Sequence, residues 1–365
     1  MRHPPPRPAW LLLALLAALG IAAAACGSVA KPSGWTSPVV ANDLLLVAHK
    51  DKLYALDPDT LAEKWRFPGP ESKKTKATAL YGSLGVSDTE VFVAGYSGKL
   101  YTVEASTGIG TEQVFDTGSP LVGGVTLDAG TVYFGSSNGK LYALDAETGR
   151  ERWKPFKADN EIWSTPVVSG DTVYVTSLDG RLYAIDAATG AEQWSYKTAA
   201  GVASTPVVDL DEGLVYVGGF DSRLRAIDLA THEQRWQIAA NNWFWTRPLV
   251  ADGVVYAGSL DKNVYAVEVA SGDAHWARPF ETSAPVHAAP VMAGGKLIVV
   301  DRKGHVFALS PEDGTMAPAE ALELGADVLA DPLVQADGNV IIVTTSGDVV
   351  RIDPATLTMV DQRTL

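Results

Sequence analysis

The chain has 365 residues, of which 47% are hydrophobic and 20% are charged, so it is long enough to bury a sizeable core. Its formal net charge of −14 argues against nucleic acid as a partner and against adhesion to anionic lipid through a basic surface. Because the sequence contains a single cysteine, no intramolecular disulfide can form, and the fold must be stable without one.

The first 25 residues have the pattern of a secretory signal peptide. Arg2 and Arg7 precede an uncharged apolar stretch, and the small residues Ala23 and Ala25 lead directly to Cys26. Cys26 stands where a lipobox carries its acylated cysteine, which becomes the new N-terminus. We therefore expect a signal peptide over residues 1–25, a lipid anchor on Cys26 and a short linker over residues 26–34. The alternative is ordinary cleavage after Ala25, which would leave a soluble exported protein.

From residue 35 onward, one sequence unit is repeated eight times at intervals of 40 to 47 residues. Two copies, Ala143–Trp153 and Ala184–Trp194, match the pattern Ala-x-Asp-x-x-Thr-Gly-x-x-x-Trp in full. The third position of the pattern holds, in successive copies, Asp57, Glu104, Asp145, Asp186, Asp228, Glu268, Ser310 and Asp353. The final tryptophan is kept in five copies, as Trp65, Trp153, Trp194, Trp236 and Trp276.

Each unit has the period of β-structure. In the fourth unit, Thr172–Ser177 and Arg181–Asp186 alternate apolar and polar residues on either side of the turn Leu178–Gly180, which is typical of a β-hairpin. Ser164–Val168 before the hairpin and Glu192–Tyr196 after it supply two further short strands. Four strands in about 42 residues predict one antiparallel sheet per unit.

One such sheet leaves an apolar face and its edges uncovered, so the copies must pack against one another. The sequence lacks the apolar spacing of three and four residues that a helical repeat needs. We therefore predict an all-β fold, an eight-bladed β-propeller of four-stranded antiparallel blades over residues 35–365.

Structural roles account for the repeated residues. The acidic residue ends the third strand, where its carboxylate can accept hydrogen bonds from the backbone of the following turn, and Gly190 supplies the positive φ that this turn needs. A tryptophan such as Trp194 can bury a large apolar surface between neighbouring blades while its indole N–H binds one acceptor. We expect these residues to form the scaffold of the fold.

The complete pattern resembles the tryptophan-docking repeat of the pyrroloquinoline-quinone (PQQ) quinoprotein propellers over the whole mature chain. At this length and with eight short blades, the chain is most similar to the BamB family of lipoproteins in the outer-membrane β-barrel assembly machinery. This resemblance implies a non-catalytic scaffold that binds other proteins of the cell envelope. Quinoprotein dehydrogenases share the repeat, but they are considerably longer and carry a vicinal cysteine pair and a calcium site, and this chain has no such pair.

No motif in the sequence indicates an enzyme. The six histidines lack the spacing of metal ligands, and the chain contains no phosphate-binding glycine loop. Asp209–Gly213 resembles a calcium loop but lacks its later ligands, so we interpret it as a hairpin turn. The basic cluster Lys73–Lys76 lies in an insertion between the first two units, where a solvated loop is the simplest interpretation. We expect no enzymatic activity, no cofactor and no metal ion.

One aligned position carries large aromatic side chains that the fold of the repeat does not require. Three residues before the proline site, successive units carry Trp35, Tyr81, Val122, Trp163, Ala203, Trp245, His287 and Leu329. Trp243 lies next to this register, and Arg247 and Asp331 stand two positions later in their units, where others have Ser, Thr, Gly or Ala. The innermost strands of a propeller surround its axis, so these side chains should meet at one mouth of the channel.

Two interpretations of this aromatic mouth remain open. The side chains could plug the narrow end of the channel and pack on one another. Alternatively, they could bind an extended peptide or a small planar ligand, since clustered aromatic residues with a few polar anchors are typical of interaction sites.

The sequence thus predicts an exported lipoprotein that faces the periplasm or the cell exterior and is held at the membrane through its lipid anchor. Its expected partners are other envelope or membrane proteins, and its expected state is a monomeric propeller. Two alternative functions are a small-ligand or quinone-binding module, such as a redox accessory protein, and an extracellular sensor or carbohydrate-binding domain.

Overall fold

The computed structural model describes residues 34–69 and 79–365, and in these ranges every regular element is a β-strand. The predicted signal peptide, Cys26 and the cluster Lys73–Lys76 lie outside the described residues. Within the described ranges, no helix has the length and hydrophobicity to cross a membrane. Eight four-stranded antiparallel sheets confirm the predicted eight-bladed β-propeller.

Each blade is built from four strands that follow one another in the sequence. The strands of blades 1 to 4 are β1 (Val39–Ala41), β2 (Leu44–His49), β3 (Lys52–Leu56) and β4 (Glu63–Phe67); β5 (Leu80–Val86), β6 (Glu90–Gly95), β7 (Lys99–Glu104) and β8 (Gly110–Asp116); β9 (Val125–Asp128), β10 (Thr131–Gly135), β11 (Lys140–Asp145) and β12 (Phe156–Lys157); and β13 (Val167–Ser169), β14 (Thr172–Ser177), β15 (Arg181–Asp186) and β16 (Glu192–Lys197).

The same order continues to the end of the chain. The strands of blades 5 to 8 are β17 (Val207–Asp209), β18 (Leu214–Gly218), β19 (Arg223–Asp228) and β20 (Gln234–Ala239); β21 (Leu249–Ala251), β22 (Val254–Gly258), β23 (Asn263–Glu268) and β24 (Phe280–Glu281); β25 (Val291–Ala293), β26 (Lys296–Val300), β27 (His305–Leu309) and β28 (Leu322–Glu323); and β29 (Leu333–Val334), β30 (Val340–Val343), β31 (Asp348–Asp353) and β32 (Thr358–Thr364).

The two middle strands of each blade form its buried centre. In blade 4, β14 and β15 pair from Thr172 with Asp186 to Ser177 with Arg181, as the alternating pattern predicts. Apolar side chains on both faces of this hairpin are buried, because each face packs against a neighbouring blade. The first strands of neighbouring blades contact one another, for example β1 with β5 and β5 with β9, so they surround the axis.

The tryptophan of the repeat joins its blade to the next one. Its Nε1 donates a hydrogen bond to a backbone carbonyl of the following blade in four copies: Trp65 to Ala105 (2.9 Å), Trp153 to Ala187 (3.2 Å), Trp236 to Val269 (2.7 Å) and Trp276 to Pro311 (2.8 Å). The ring covers a glycine with positive φ in that blade. A Cβ atom on Gly190 would lie 2.5 Å from the Trp153 ring, so only glycine fits beneath the indole.

Blade 5 carries His232 at the position of this glycine. Its φ of 61° keeps the left-handed turn, and its ring stacks on Trp194 with centroids 4.6 Å apart and planes 15° apart. The imidazole therefore displaces the indole of Trp194 outward, and this tryptophan is only partly buried.

Two of the three junctions that lack the tryptophan are filled from the opposite side. Blades 7 and 8 carry Pro318 and Asp361 where the others have tryptophan, and the following blades have Leu357 and Leu61 in place of the glycine. Both leucines keep a positive φ, 53° and 55°, and both are buried. Leu357 packs in one cluster with Ile298, and Leu61 packs in another with Ile341 of blade 8. Leucine here replaces the volume of the absent indole.

No strand is exchanged between blades 8 and 1, so side chains close the ring. The buried guanidinium of Arg351 donates hydrogen bonds to the backbone carbonyls of Asp59 (2.7 Å) and Pro58 in blade 1. Gln335 Nε2 also donates to the carbonyl of Pro58 (3.0 Å). Together with the Leu61 cluster, these contacts join the two ends of the propeller.

The acidic residues of the repeat bind the turns that follow them. Asp228 Oδ1 accepts hydrogen bonds from the backbone N–H groups of Ala230 (3.0 Å) and Thr231 (2.9 Å). The Thr231 N–H and the Arg235 guanidinium favour the ionised form and lower the pKa of Asp228 to about 2. The carboxylate therefore remains charged over the physiological pH range.

Candidate functional site

The segments just before the first strands enclose a cavity of about 500 Å³ on the propeller axis. We call this cavity and its lining the central mouth. Of the eleven residues that the sequence predicted to meet there, nine line it: Trp35, Val122, Trp163, Ala203, Trp245, Arg247, His287, Leu329 and Asp331.

A buried hydroxyl fixes each of several inner segments to its own blade. Thr36 Oγ1 accepts a hydrogen bond from the backbone N–H of Ala48 (2.9 Å), and Ser164 Oγ accepts one from Thr176 (3.0 Å). Each hydroxyl directly follows a mouth tryptophan, Trp35 or Trp163. Since neighbouring residues of an extended segment point to opposite sides, anchoring the hydroxyl in the blade turns the indole towards the axis.

One half of the central mouth carries neutral hydroxyl groups, and the other half carries an ion pair. On one side, Ser83 Oγ and Thr165 Oγ1 lie 3.1 Å apart across the close-packed glycines of blade 3. On the other side, Arg247 of blade 6 and Asp331 of blade 8 form an ion pair over blade 7, with Nε and Oδ2 3.3 Å apart. Asp331 Oδ1 also accepts a hydrogen bond from the backbone N–H of Ala289 (2.7 Å). This carboxylate is held firmly, while half of the Arg247 side chain is exposed.

An aromatic stack supports Trp245 at the rim. Phe220 lies between Trp243 and Trp245, with ring centroids 4.5 Å and 5.4 Å away and planes within 30° of parallel. His287 follows, with its ring centroid 6.4 Å from that of Trp245. The stack leaves one indole face of Trp245 to line the cavity and holds it in one orientation.

Two of the predicted mouth residues take supporting positions. Tyr81 is 2% exposed and packs edge-on beneath Trp35, with ring centroids 4.8 Å apart. Trp243 packs on Phe220, outside the lining of the cavity. Both stabilise a neighbouring aromatic side chain that does line the mouth.

His287 is the buried titratable group of the central mouth. It is 8% exposed, it lines the cavity, and neither ring nitrogen has a hydrogen-bond partner among the described residues. Burial, assisted by the nearby Arg302 guanidinium, lowers the pKa of His287 to about 4. The imidazole is therefore neutral at physiological pH and presents one donor and one acceptor.

This pKa predicts a pH dependence of stability. The unfolded chain protonates His287 near pH 6.5 and the folded chain only near pH 4, so the stability from the neutral ring is complete above pH 6.5 and is lost as the pH falls towards 4. Between pH 7 and 4, the wild type should lose up to about 3 kcal/mol more unfolding free energy than His287→Gln. Urea unfolding at both pH values tests this, and equal losses would contradict it.

Sequence reasoning missed part of the mouth. Phe220 belongs to the turn after the second strand of blade 5, whereas the residues predicted for the mouth come from the segments before the first strands. The hydroxyl groups of Ser83 and Thr165 are ordinary repeat residues by sequence, and only ring closure brings these two blades together. The signal for Phe220 was weak: the equivalent residues are Leu178 in blade 4 and Leu260 in blade 6.

The central mouth therefore offers indole faces, hydroxyl groups, a neutral imidazole and one ion pair. These groups bind by stacking and by hydrogen bonds, as in sites for peptides or planar molecules. Among residues 34–69 and 79–365, no group of three or more His, Cys, Asp or Glu side chains is arranged to hold a metal ion.

Comparison with known proteins agrees with the fold. The crystal structure of BamB from Moraxella catarrhalis is similar with a TM-score of 0.70 and 18% sequence identity, covering 85% of this chain and 91% of that one. The computationally designed Ika8 protein is similar with a TM-score of 0.73 and 14% identity, covering 86% and 94%. No curated protein matches the chain by sequence.

The match to a protein family is more specific. The family described as outer membrane protein assembly factor BamB matches residues 110–315 and 243–365, which together make up more than two thirds of the chain. The match includes six of the eight blades in full and four of the five tryptophans of the repeat, Trp153, Trp194, Trp236 and Trp276. The chain therefore belongs to the outer membrane protein assembly factor BamB family.

Proposed function

We propose that this protein is an exported, non-catalytic scaffold that is anchored to a membrane through Cys26 and binds other proteins of the cell envelope. The observation that carries the proposal is the family match over more than two thirds of the chain, because the family is described as an assembly factor of the outer membrane. A rigid propeller held at a membrane surface by a short linker can present its loops and its central mouth to neighbouring proteins.

The central mouth is the surface that we propose for partner binding. Its rim combines Trp245, supported by an aromatic stack, with Arg247, whose side chain is half exposed. Tryptophan and arginine are the residues that most often dominate binding energy in protein interfaces. An extended segment of a partner could stack on the indole and place a carboxylate or carbonyl oxygen near the guanidinium.

The double variant Trp245→Ala, Arg247→Ala tests this surface. It should abolish capture of envelope proteins from solubilised membranes while lowering the free energy of unfolding by less than about 2 kcal/mol, because both side chains lie at the rim. Capture is measured by affinity purification and peptide identification, and stability by urea unfolding.

A matched control removes the same residue types elsewhere. Trp194→Ala with Arg235→Ala also deletes one partly buried tryptophan and one exposed arginine, but on the outer strands of blades 4 and 5. This control should retain capture. If both variants lose it equally, or if the mouth variant unfolds, the central mouth is not the contact surface.

A small planar ligand is the second candidate for the central mouth, favoured by His287, which is buried and has no hydrogen-bond partner among the residues that the structure describes. A calcium-bound quinone does not fit the residues present. Asp331 is the one carboxylate among the described residues that line the cavity, and it already binds Arg247 and the Ala289 N–H. A rise in melting temperature with quinone alone would favour a ligand-binding module over a protein scaffold.

A further inference from the structure

The junction between blades 2 and 3 is the one where neither the tryptophan nor a compensating leucine is present. By sequence alignment, Glu112 takes the place of the tryptophan. In blade 4, Leu182 pairs with Tyr196, which lies two residues after Trp194. The equivalent pair in blade 2 is Leu100 with Phe115. The residue two before Phe115 is Gln113, so the strand register places Gln113 at the position of the tryptophan. The following blade nevertheless keeps a glycine, Gly149, with a φ of 67°.

A cavity of about 220 Å³ occupies this junction. At the other two junctions without tryptophan, Leu357 and Leu61 fill the corresponding space. Gly149 contributes no side chain, and the cavity lies against it and against Ala146. We call this cavity the indole slot, defined by Phe92, Thr102, Ala146 and Gly149 on its walls.

The walls of the indole slot are those of an occupied tryptophan site. In blade 3, Trp153 lies against Tyr133, with ring centroids 6.5 Å apart, and Phe92 is the equivalent residue of blade 2. Trp153 donates its hydrogen bond to Ala187, and Ala146 is the equivalent residue one blade earlier. The ring of Trp153 covers Gly190, to which Gly149 corresponds.

The floor of the slot is apolar, its lining also includes Thr102, Asp145 and Thr148, and it is reachable from solvent. Phe92, Leu100, Val132 and Leu144 are at most 3% exposed and form its floor. Val114, on the outer strand of blade 2, lies at its edge and is 42% exposed. An aromatic ring entering from outside would cover Val114 and fill the floor, with a gain in buried apolar surface.

The described part of the chain supplies no indole for this slot. It contains ten tryptophans. Nine lie in the described residues, and each of them is placed at another junction or near the central mouth. The tenth, Trp10, belongs to the predicted signal peptide.

We propose that the indole slot binds a tryptophan side chain presented by a partner protein. The ring lies on Gly149, and its N–H donates to the carbonyl of Ala146, so the partner completes the repeat in trans. The site is separate from the central mouth and does not depend on the function proposed for it. Its specificity is for a planar ring with one N–H donor.

Binding can be measured with N-acetyl-L-tryptophanamide, which mimics a tryptophan within a chain. Titration into the methyl-labelled protein should cause saturable NMR shifts at Leu100, Val132 and Leu144. The N1-methylated analogue should bind at least about fivefold more weakly, because it cannot donate to Ala146, and N-acetyl-L-leucinamide should cause no saturable shift. Free L-tryptophan binding more tightly than the amide would indicate an amino-acid site and overturn the proposal.

Two variants close the slot by different means. Gly149→Leu copies the natural solution of Leu61 and Leu357, and Gln113→Trp supplies the indole from within the chain. Each should weaken binding of the tryptophan amide at least about tenfold, and Gln113→Trp should also raise the melting temperature. If the wild type shows no saturable shift, or if a folded Gln113→Trp protein binds as tightly as the wild type, the proposal is wrong.

Discussion

Replacing Asp221 by alanine should lower the free energy of unfolding by about 3–5 kcal/mol, because it leaves the guanidinium of Arg225 buried without a counter-charge. Arg225 is 4% exposed, and both of its terminal nitrogens bind Asp221, with Nη1 3.0 Å from Oδ1. Arg225 stands at the position where blades 4 and 6 have Tyr183 and Tyr265. The hydroxyl of each tyrosine binds an aspartate four residues earlier. Urea unfolding of the purified protein measures the loss.

Asp261→Ala is the matched control for this prediction. It removes an aspartate at the same turn of blade 6, where the side chain left behind is the neutral Tyr265. We expect a loss of about 1–3 kcal/mol, the usual cost of an unsatisfied hydroxyl. The double variant Asp221→Ala, Arg225→Leu should recover much of the loss, since no buried charge remains. Equal effects of Asp221→Ala and Asp261→Ala would show that the charge is not the cause.

Trp236→Ala should also destabilise the protein by about 3–5 kcal/mol, the usual cost of removing a buried large aromatic side chain. The indole is 6% exposed, packs over Gly272 and donates a hydrogen bond to the carbonyl of Val269 (2.7 Å). Its removal leaves a cavity between blades 5 and 6 and leaves that carbonyl without its donor. Thermal and urea unfolding both report the change.

Trp194→Ala provides the comparison within the same repeat. Its indole stacks on His232 and is only partly buried, so we expect a loss below about 2 kcal/mol. The two substitutions delete the same atoms from equivalent positions, so the difference between their losses of unfolding free energy measures the effect of docking depth on stability. If Trp194→Ala is as damaging as Trp236→Ala, the depth of docking does not set the energy of a blade junction.

Local chemistry explains why the fold could be predicted from the sequence. Strand alternation around turns such as Leu178–Gly180 is a property of neighbouring residues, and the period of the repeat counts the blades. The register before the first strands likewise predicted that Trp35, Trp163 and Trp245 would come together, because equivalent positions in a closed ring meet at the axis.

Contacts between blades were not predictable in the same way. The stacking of Phe220 on Trp245 and the approach of Ser83 to Thr165 join residues from different repeats, and their side-chain directions depend on the blade geometry. Sequence alignment places Glu112 at the tryptophan position of blade 2, whereas the strand register places Gln113 there, for a related reason. A bulge in the pairing of β7 with β8 adds a residue that a fixed spacing cannot detect.

The sequence by itself determined the all-β class, the number of blades and the ring of aromatic positions, because these follow from periodicity and from residue types along the chain. Only the tertiary structure decided which junctions are filled. Whether Leu61, His232 or an open cavity beside Gly149 occupies the place of an indole depends on the volume between two blades. That volume belongs to pairs of repeats in contact, and no single repeat contains it.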